Sequence, residues 1–335
     1  MQKDVLIIGA GPAGIFAAFQ AGMLGMSCCV VDVLPYPGGQ CAELYPFKPI
    51  YDIAGFPKVL AKDLVQNLLD QAEPFKPEYL FNTQIVDVKQ QQDSFRAITS
   101  NGLEIEAKVV ILASGNGSFV PNKPLVKNIE DFQNVSVLYS VTNPEIFRDK
   151  KVLIAGGGDS AVDWAIILKD IASRVYLIHR REKFRCNQDN FNKVKELEKQ
   201  GLIDILVPYQ LLELYGQNQH ISNVAIQNFT TNEHKSLEVD YFLAFFGLKM
   251  DLGPLKNWGL ELEQNKIKVD ESFYQTNIPG MYGVGDTCHY EGKLKLIVTG
   301  FAEVCSALHH AYSRVFAGKQ LHFEYSTNKG LPPSD

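Results

Sequence analysis

Val5-Leu6-Ile7-Ile8-Gly9-Ala10-Gly11-Pro12-Ala13-Gly14 lies at the start of the chain, and Val152-Leu153-Ile154-Ala155-Gly156-Gly157-Gly158-Asp159-Ser160-Ala161 repeats its plan 147 residues later. In each, a short apolar run meets a glycine cluster and then a helical stretch, which reads as strand, tight turn, helix. The glycines permit the turn and let a pyrophosphate approach the backbone, its charge resting on the free amides and positive dipole of the helix N-terminus. Twenty-three positions after the first glycine of each motif, at the end of the next strand, the copies diverge: Asp32 stands in the first and His179 in the second. A carboxylate there accepts hydrogen bonds from ribose hydroxyls. His179 is instead followed by Arg180 and Arg181, with Arg185 one helical turn further on, a cluster suited to a 2′-phosphate. The first unit therefore reads as a site for FAD and the second as a site for NADPH.

A lone GxGxxG is weak evidence, since glycine-rich turns occur in many unrelated loops; the strand before and helix after each motif carry the reading. The plain alternatives are a solvated basic turn for the three arginines and a surface acid for Asp32, and the register with the glycines argues against both.

The 335 residues are long enough for about two domains, and 46% hydrophobic content supplies large cores. The apolar run from Val5 to Met26 is broken by Gly9, Gly11, Pro12 and Gly14 and lacks a basic leader, so neither a signal peptide nor a membrane span is expected. Six scattered cysteines, at 28, 29, 41, 186, 288 and 305, make a disulfide framework improbable and point to the cytoplasm. A net charge of −6 argues against general affinity for nucleic acid or an acidic membrane.

After Asp32 comes a loop rich in Pro, Gly and Tyr from Leu34 to Pro57, a length that in compact domains is often functional. Helices are expected over Lys62 to Gln71, Lys193 to Gln200 and Ala302 to Phe316. Strands are expected near Tyr79 to Val88, Phe95 to Thr99, Glu104 to Ala113, Ile203 to Val207, Val224 to Asn228 and Val239 to Phe246. A boundary is expected near Ser114-Gly115-Asn116-Gly117.

These residues resemble the thioredoxin-reductase-like flavoproteins, in which an NADPH domain is inserted into a FAD domain. The resemblance covers nearly the whole chain: the N-terminal GxGxxG, Ile111-Leu112-Ala113-Ser114-Gly115, the Gly156 to Ala161 turn, the His-Arg-Arg cluster, and Thr276-Asn277-Ile278-Pro279-Gly280 leading to Gly285-Asp286. It implies an α/β fold of two Rossmann-like, three-layer nucleotide-binding domains, with a discontinuous FAD domain over 1–118 and 248–335 and an NADPH domain over 119–247. Asp286, which alone reads as a turn residue or helix cap, is implied to hold the ribityl chain.

One departure decides the expected activity. A thioredoxin reductase carries CxxC just before its second glycine turn, where the dithiol takes electrons from flavin. Leu138 to Arg148 contains no cysteine, and Cys41, followed five residues later by Pro46, has no partner either. Cys41 reads as a small buried residue, and the flavin must pass electrons directly to an external acceptor.

Among members without CxxC, the chain is similar to the ferredoxin-NADP reductases of the thioredoxin-reductase-like type. Leu34 to Pro46, Tyr51 to Pro57, Gly156 to Trp164, His179 to Arg185, Asn257-Trp258-Gly259 and the C-terminal extension with Ser326-Thr327 carry that likeness. It implies FAD contacts at Gly9, Gly11, Pro12, Ala13, Gly14, Asp32, Gln40, Tyr45, Val86, Phe119, Asp286 and Thr327. Tyr45 and Tyr325 are implied to cover opposite faces of the isoalloxazine, though the second position holds histidine in some members. NADPH is implied to meet Gly156, Gly158, Asp159, Ser160, Ala161, His179, Arg180, Arg181 and Arg185. Ferredoxin or flavodoxin is the implied acceptor and a homodimer the implied assembly, with no metal and no catalytic side chain, since the flavin carries the chemistry. The helix after Thr299-Gly300-Phe301 is expected to aim amides at the flavin. The alternatives are an NADPH oxidase or diaphorase acting on oxygen or quinone, and a non-catalytic flavin-binding regulatory module that the arginine cluster disfavours.

Overall fold

The computed structural model describes residues 1–332, without the side chains of 118–120 and 248–250. The chain divides into two compact units: Met1–Phe119 with Met250–Asp335, and Val120–Lys249.

In the first unit, β1 (Gln2–Ile8) lies between parallel strands, β2 (Cys28–Val31) on one side and Glu104–Leu112 on the other, with Val5 beside both Cys28 and Val109. Glu78–Leu80 extends the sheet beyond β2. Glu104–Leu112 divides its free edge between two partners. Its first half pairs antiparallel with Phe95–Thr99, which pairs in turn with Ile85–Gln90, and its second half takes Met281–Gly283 in parallel, with Tyr282 beside Ile111. That last pairing brings a segment from the end of the chain, and with it Gly285-Asp286, to the ends of the central strands. Both sheet faces must be covered, which explains the nearly unbroken apolar composition of Val5–Ile8 and Val109–Leu112.

One face is covered by α1 (Pro12–Met23), Ala61–Ala72 and the C-terminal helix Ile297–Val315. The C-terminal helix starts five residues earlier than the expected Ala302. Gly300 allows this early start, because its missing side chain lets the first turn pack against Gly285 and Ala13.

The second unit has a five-stranded parallel sheet in the order Val137–Leu138, Tyr241–Ala244, Lys151–Ala155, Arg174–Ile178, Asp204–Leu206. Asp159–Leu168 and Gln188–Lys199 are its helices. The second begins five residues before the expected Lys193, since the Asn187 side chain caps it by accepting the Asp189 N–H. A separate antiparallel sheet, Tyr209–Gln217, His220–Asn228 and His234–Glu238, supplies Leu214, Val224 and Ile226 to the same core. Its two outer strands carry polar residues such as Gln210, Glu213 and Lys235, so their composition did not announce them.

Candidate functional site

The strand-turn-helix at Gly9 has three glycines with three different reasons. Gly9 sits at φ +109°, and a Cβ there would lie 2.4 Å from the Ala113 carbonyl oxygen. Gly14 brings α1 down on the turn, since its Cβ would lie 1.8 Å from the Gly9 oxygen. Gly11 has nothing within 4 Å of where a Cβ would stand, because it faces a cavity of 340 Å³.

Gly9, Gly11, Pro12, Ala13, Asp32, Gln40, Tyr45 and Asp286 all line that cavity, and Gly14 supports it from behind. Asp32 braces the turn: its Oδ2 accepts the Ala10 N–H at 2.6 Å and its Oδ1 the Leu34 N–H at 2.8 Å. Burial pushes its carboxyl up while these amides hold it down. Gly38 and Gly39, both at positive φ, fold the following loop back so that Gln40 and Tyr45 reach the wall. The Cys41 thiol lies 3.6 Å from the Tyr45 hydroxyl, and burial pushes both groups up.

Two helix N-termini converge here. Pro12 and Ala13 of α1 and Ile297 and Gly300 of the C-terminal helix line one cavity, and a Cβ on Gly300 would lie 3.5 Å from that of Ala13. Their dipoles and free amides favour negative charge. Asp286 stands on the short turn Gly285–Thr287, where Asn116 Nδ2 lies 3.4 Å from its Oδ2 and the Lys266 ammonium donates to its carbonyl and to Asn116 Oδ1. Burial holds the Lys266 pKa below its ordinary value. The open space at Gly11, the Asp32 carboxylate at the strand end and the paired helix N-termini fit a dinucleotide laid along the strand ends.

Some expected contacts lie elsewhere. Val86 is 39% exposed and absent from the wall; Thr83, Gln84 and Ile85 line it instead, and Val86 falls where the strand's register with its neighbour shifts between Ile85 and Asp87. The side chain of Phe119 lies outside the described residues. Tyr325 and Thr327 do not line the cavity of their own chain. The Tyr325 ring packs on Phe323, which packs on His309, and Lys329 donates to the carbonyl of Met23. Met23 ends α1, about 17 Å along the helix from the Pro12 end that faces the cavity.

The wall also contains residues that sequence reading missed: Glu43, Thr83 to Ile85 and the Asp251 to Leu255 loop. Nothing in the local sequence of that loop tells where it is delivered.

In the second unit, Gly156 sits at φ +155°, and a Cβ there would lie 2.5 Å from the Phe245 oxygen. Gly158 caps Asp159–Leu168, and Ala161 is buried in its first turn. Asp159 accepts the Asn187 N–H at 2.8 Å. His179 follows its strand and lays its ring on the glycine turn, where a Cβ on Gly157 would lie 2.4 Å from its Nε2. Burial, then Arg181, Arg180 and Arg185, holds the imidazole below its ordinary pKa. The Arg185 N–H donates to the Gly157 oxygen at 2.6 Å, which bends the arginine segment back over the turn. Among the described residues, no carboxylate pairs with any of the three arginines, and all three are exposed. A mobile anion at this turn would meet a preformed cationic rim.

The family model "Pyridine nucleotide-disulphide oxidoreductase" matches residues 3–304. A protein of Rickettsia canadensis named ferredoxin–NADP reductase is 52% identical over 328 residues, covering 98% of this chain and 97% of the relative. One of the same name from Rickettsia bellii is 52% identical, covering 98% of both. Among solved structures, thioredoxin reductases of T. acidophilum and Lactococcus lactis superpose with TM-scores of 0.74 and 0.73 at 26% identity, each covering 94% of this chain and 99% of the other. The chain belongs to the pyridine nucleotide-disulphide oxidoreductase family and, within it, to the thioredoxin-reductase-like ferredoxin–NADP reductases.

Proposed function

We propose that this protein is an FAD-dependent ferredoxin–NADP reductase that moves electrons between NADPH and ferredoxin or flavodoxin, working as a homodimer in the cytoplasm. The observation that carries this beyond the family name is the sulfur content of the cavity wall. Cys41 is the single cysteine there, and all six cysteines are free. Electrons leaving this site have no dithiol to enter.

When bound, FAD would supply the chemistry of turning a hydride from NADPH into single electrons, the conversion an iron-sulfur acceptor requires. The residues supply binding and orientation. Asp32 accepts from the adenosine ribose and the α1 amides hold the pyrophosphate. Asp286 accepts from the ribityl chain, and the N-terminus of the C-terminal helix stabilises negative charge on the flavin edge. Tyr45 covers one ring face. His179 and the three arginines grip the 2′-phosphate of NADPH at the Gly156 turn. Because Tyr325 is 68% exposed and held away from its own cavity, the second subunit is the source of the aromatic ring proposed for the other face.

No helix is long and apolar enough to cross a membrane among the described residues. Steady-state NADPH oxidation with ferredoxin, flavodoxin, a quinone and oxygen, each alone, tests the assignment. Reduction of ferredoxin or flavodoxin well above the other two supports it; turnover with quinone or oxygen alone makes the protein a diaphorase or oxidase.

A further inference from the structure

The C-terminal helix carries one charged side chain with no exposure at all. Glu303, at 0%, lies one turn beyond Gly300, and its partner Lys293 is 4% exposed. Glu303 Oε2 accepts the Gly285 N–H at 2.6 Å, and Oε1 accepts the Tyr290 hydroxyl at 2.8 Å and the Lys293 ammonium. Cys288 Sγ lies 3.8 Å from Oε2. One carboxylate thus ties together the helix, the Gly285–Thr287 turn and the 290–293 segment that runs into Lys295. Gly285, Asp286, Lys295, Leu296, Ile297 and Gly300 form one end of the cavity, whereas Glu303, Lys293 and Tyr290 stand behind it.

A buried ion pair is weak evidence for stability, since a well-packed apolar pair of similar volume does as well or better. The geometry offers another reason for this one. Gly285 sits at φ +70° against Ala13, and its N–H is directed at a fully buried carboxylate, where it would be an orphan without that acceptor. Glu303 provides that acceptor, and the Lys293 ammonium, itself nearly buried, stands beside it as the countercharge.

We propose that Glu303 is a positioning residue for the bound dinucleotide, holding Gly285-Asp286 against the first turn of the C-terminal helix so that the ribityl-binding carboxylate and the helix amides are presented together. It acts as the acceptor for Gly285, and Lys293 acts only through it. The proposal rests on the reading that this cavity takes FAD.

The test titrates FAD into apo-protein, with flavin fluorescence, the visible spectrum and the thermal midpoint of the apo-protein as readouts. In K293M/E303Q the charges leave together and the introduced side-chain amide still offers a carbonyl to the Gly285 N–H; FAD affinity should stay within about three-fold of wild type. In K293M/E303L the acceptor is gone, and affinity should fall about ten-fold to a hundred-fold with shifted flavin bands, while the apo-protein melts near K293M/E303Q. Equal affinity and spectra in the two double variants would overturn the proposal. Should K293M/E303L not fold, E303Q alone decides, because it leaves Lys293 uncompensated. FAD binding should weaken, and adding K293M should restore it; no restoration overturns the proposal. Wild-type protein that binds no FAD would instead remove the cofactor reading on which all of this stands.

Discussion

Gly14 and Gly9 meet so closely that a Cβ on Gly14 would fall 1.8 Å from the Gly9 carbonyl oxygen, which makes α1 and the turn a single backbone-to-backbone contact. Gly11, between them, meets nothing within 4 Å. Alanine should separate these roles. Gly14→Ala must push α1 off the turn, an overpacking cost of about 1 to 3 kcal/mol or more, and should lower the apo-protein melting temperature and abolish FAD retention. Gly11→Ala should melt like wild type without cofactor yet hold FAD weakly. Equal melting losses in the two apo-proteins would refute the distinction.

Coenzyme choice should follow the exposed arginines. Hydrogen bonds to charged groups contribute roughly 1.5 to 3 kcal/mol, so Arg180→Ala should weaken NADPH about ten-fold to 150-fold and leave NADH nearly unchanged. Binding titrations with both coenzymes check this. Parallel losses would make the cluster structural.

His179 should titrate below the ordinary histidine value of 6.5, chiefly because its ring is buried and secondarily because Arg181, Arg180 and Arg185 repel its proton. Its folded pKa is depressed, so the stabilising contribution is present above the unfolded pKa and is lost as pH falls through the folded one. Imidazole proton NMR should therefore place the midpoint below that of a free peptide, and Arg181→Ala should move it upward. A midpoint at or above the peptide value contradicts the geometry.

Electron transfer should survive without sulfur. Burial pushes the Cys28, Cys29 and Cys288 thiols up to about 12, and Cys41 is raised as well, so none is a ready nucleophile. Replacing all six cysteines should spare ferredoxin reduction. Loss of turnover in a folded, FAD-loaded variant would reinstate a thiol route.

Truncation after Phe323 removes Tyr325 and Thr327 while leaving the ring that packs on His309. If the partner's tail covers the flavin, the shortened protein should show an altered flavin spectrum, faster nicotinamide access and greater oxygen leakage. An unchanged spectrum, hydride-transfer rate and oxidase rate would leave the tail as a frayed end.

The two nucleotide motifs were legible because their constraints are local. A turn at Gly9 or Gly156 needs positive φ, a helix must start within a few residues, and an acid or a basic cluster must follow one strand later. Each requirement acts over a short stretch, so residue types at fixed spacing suffice. The missing dithiol was legible for the same reason, since CxxC is a spacing.

What sequence could not decide was where distant segments are delivered. Thr83 to Ile85 and Asp251 to Leu255 reach the cavity through sheet register and turns that no local pattern encodes, and Val86 sits at a register shift that no local pattern announces either. The tail reads as a flavin-covering segment, yet in the fold Lys329 fastens it to the far end of α1. Glu303 carries no mark in the local sequence. Only the parallel pairing of Tyr282 with Ile111 sets the Gly285 N–H beside its carboxylate and Lys293 behind it. Dihedral and capping preferences are written within a few residues, whereas burial and long-range hydrogen bonding are set by which segments the folded chain brings together.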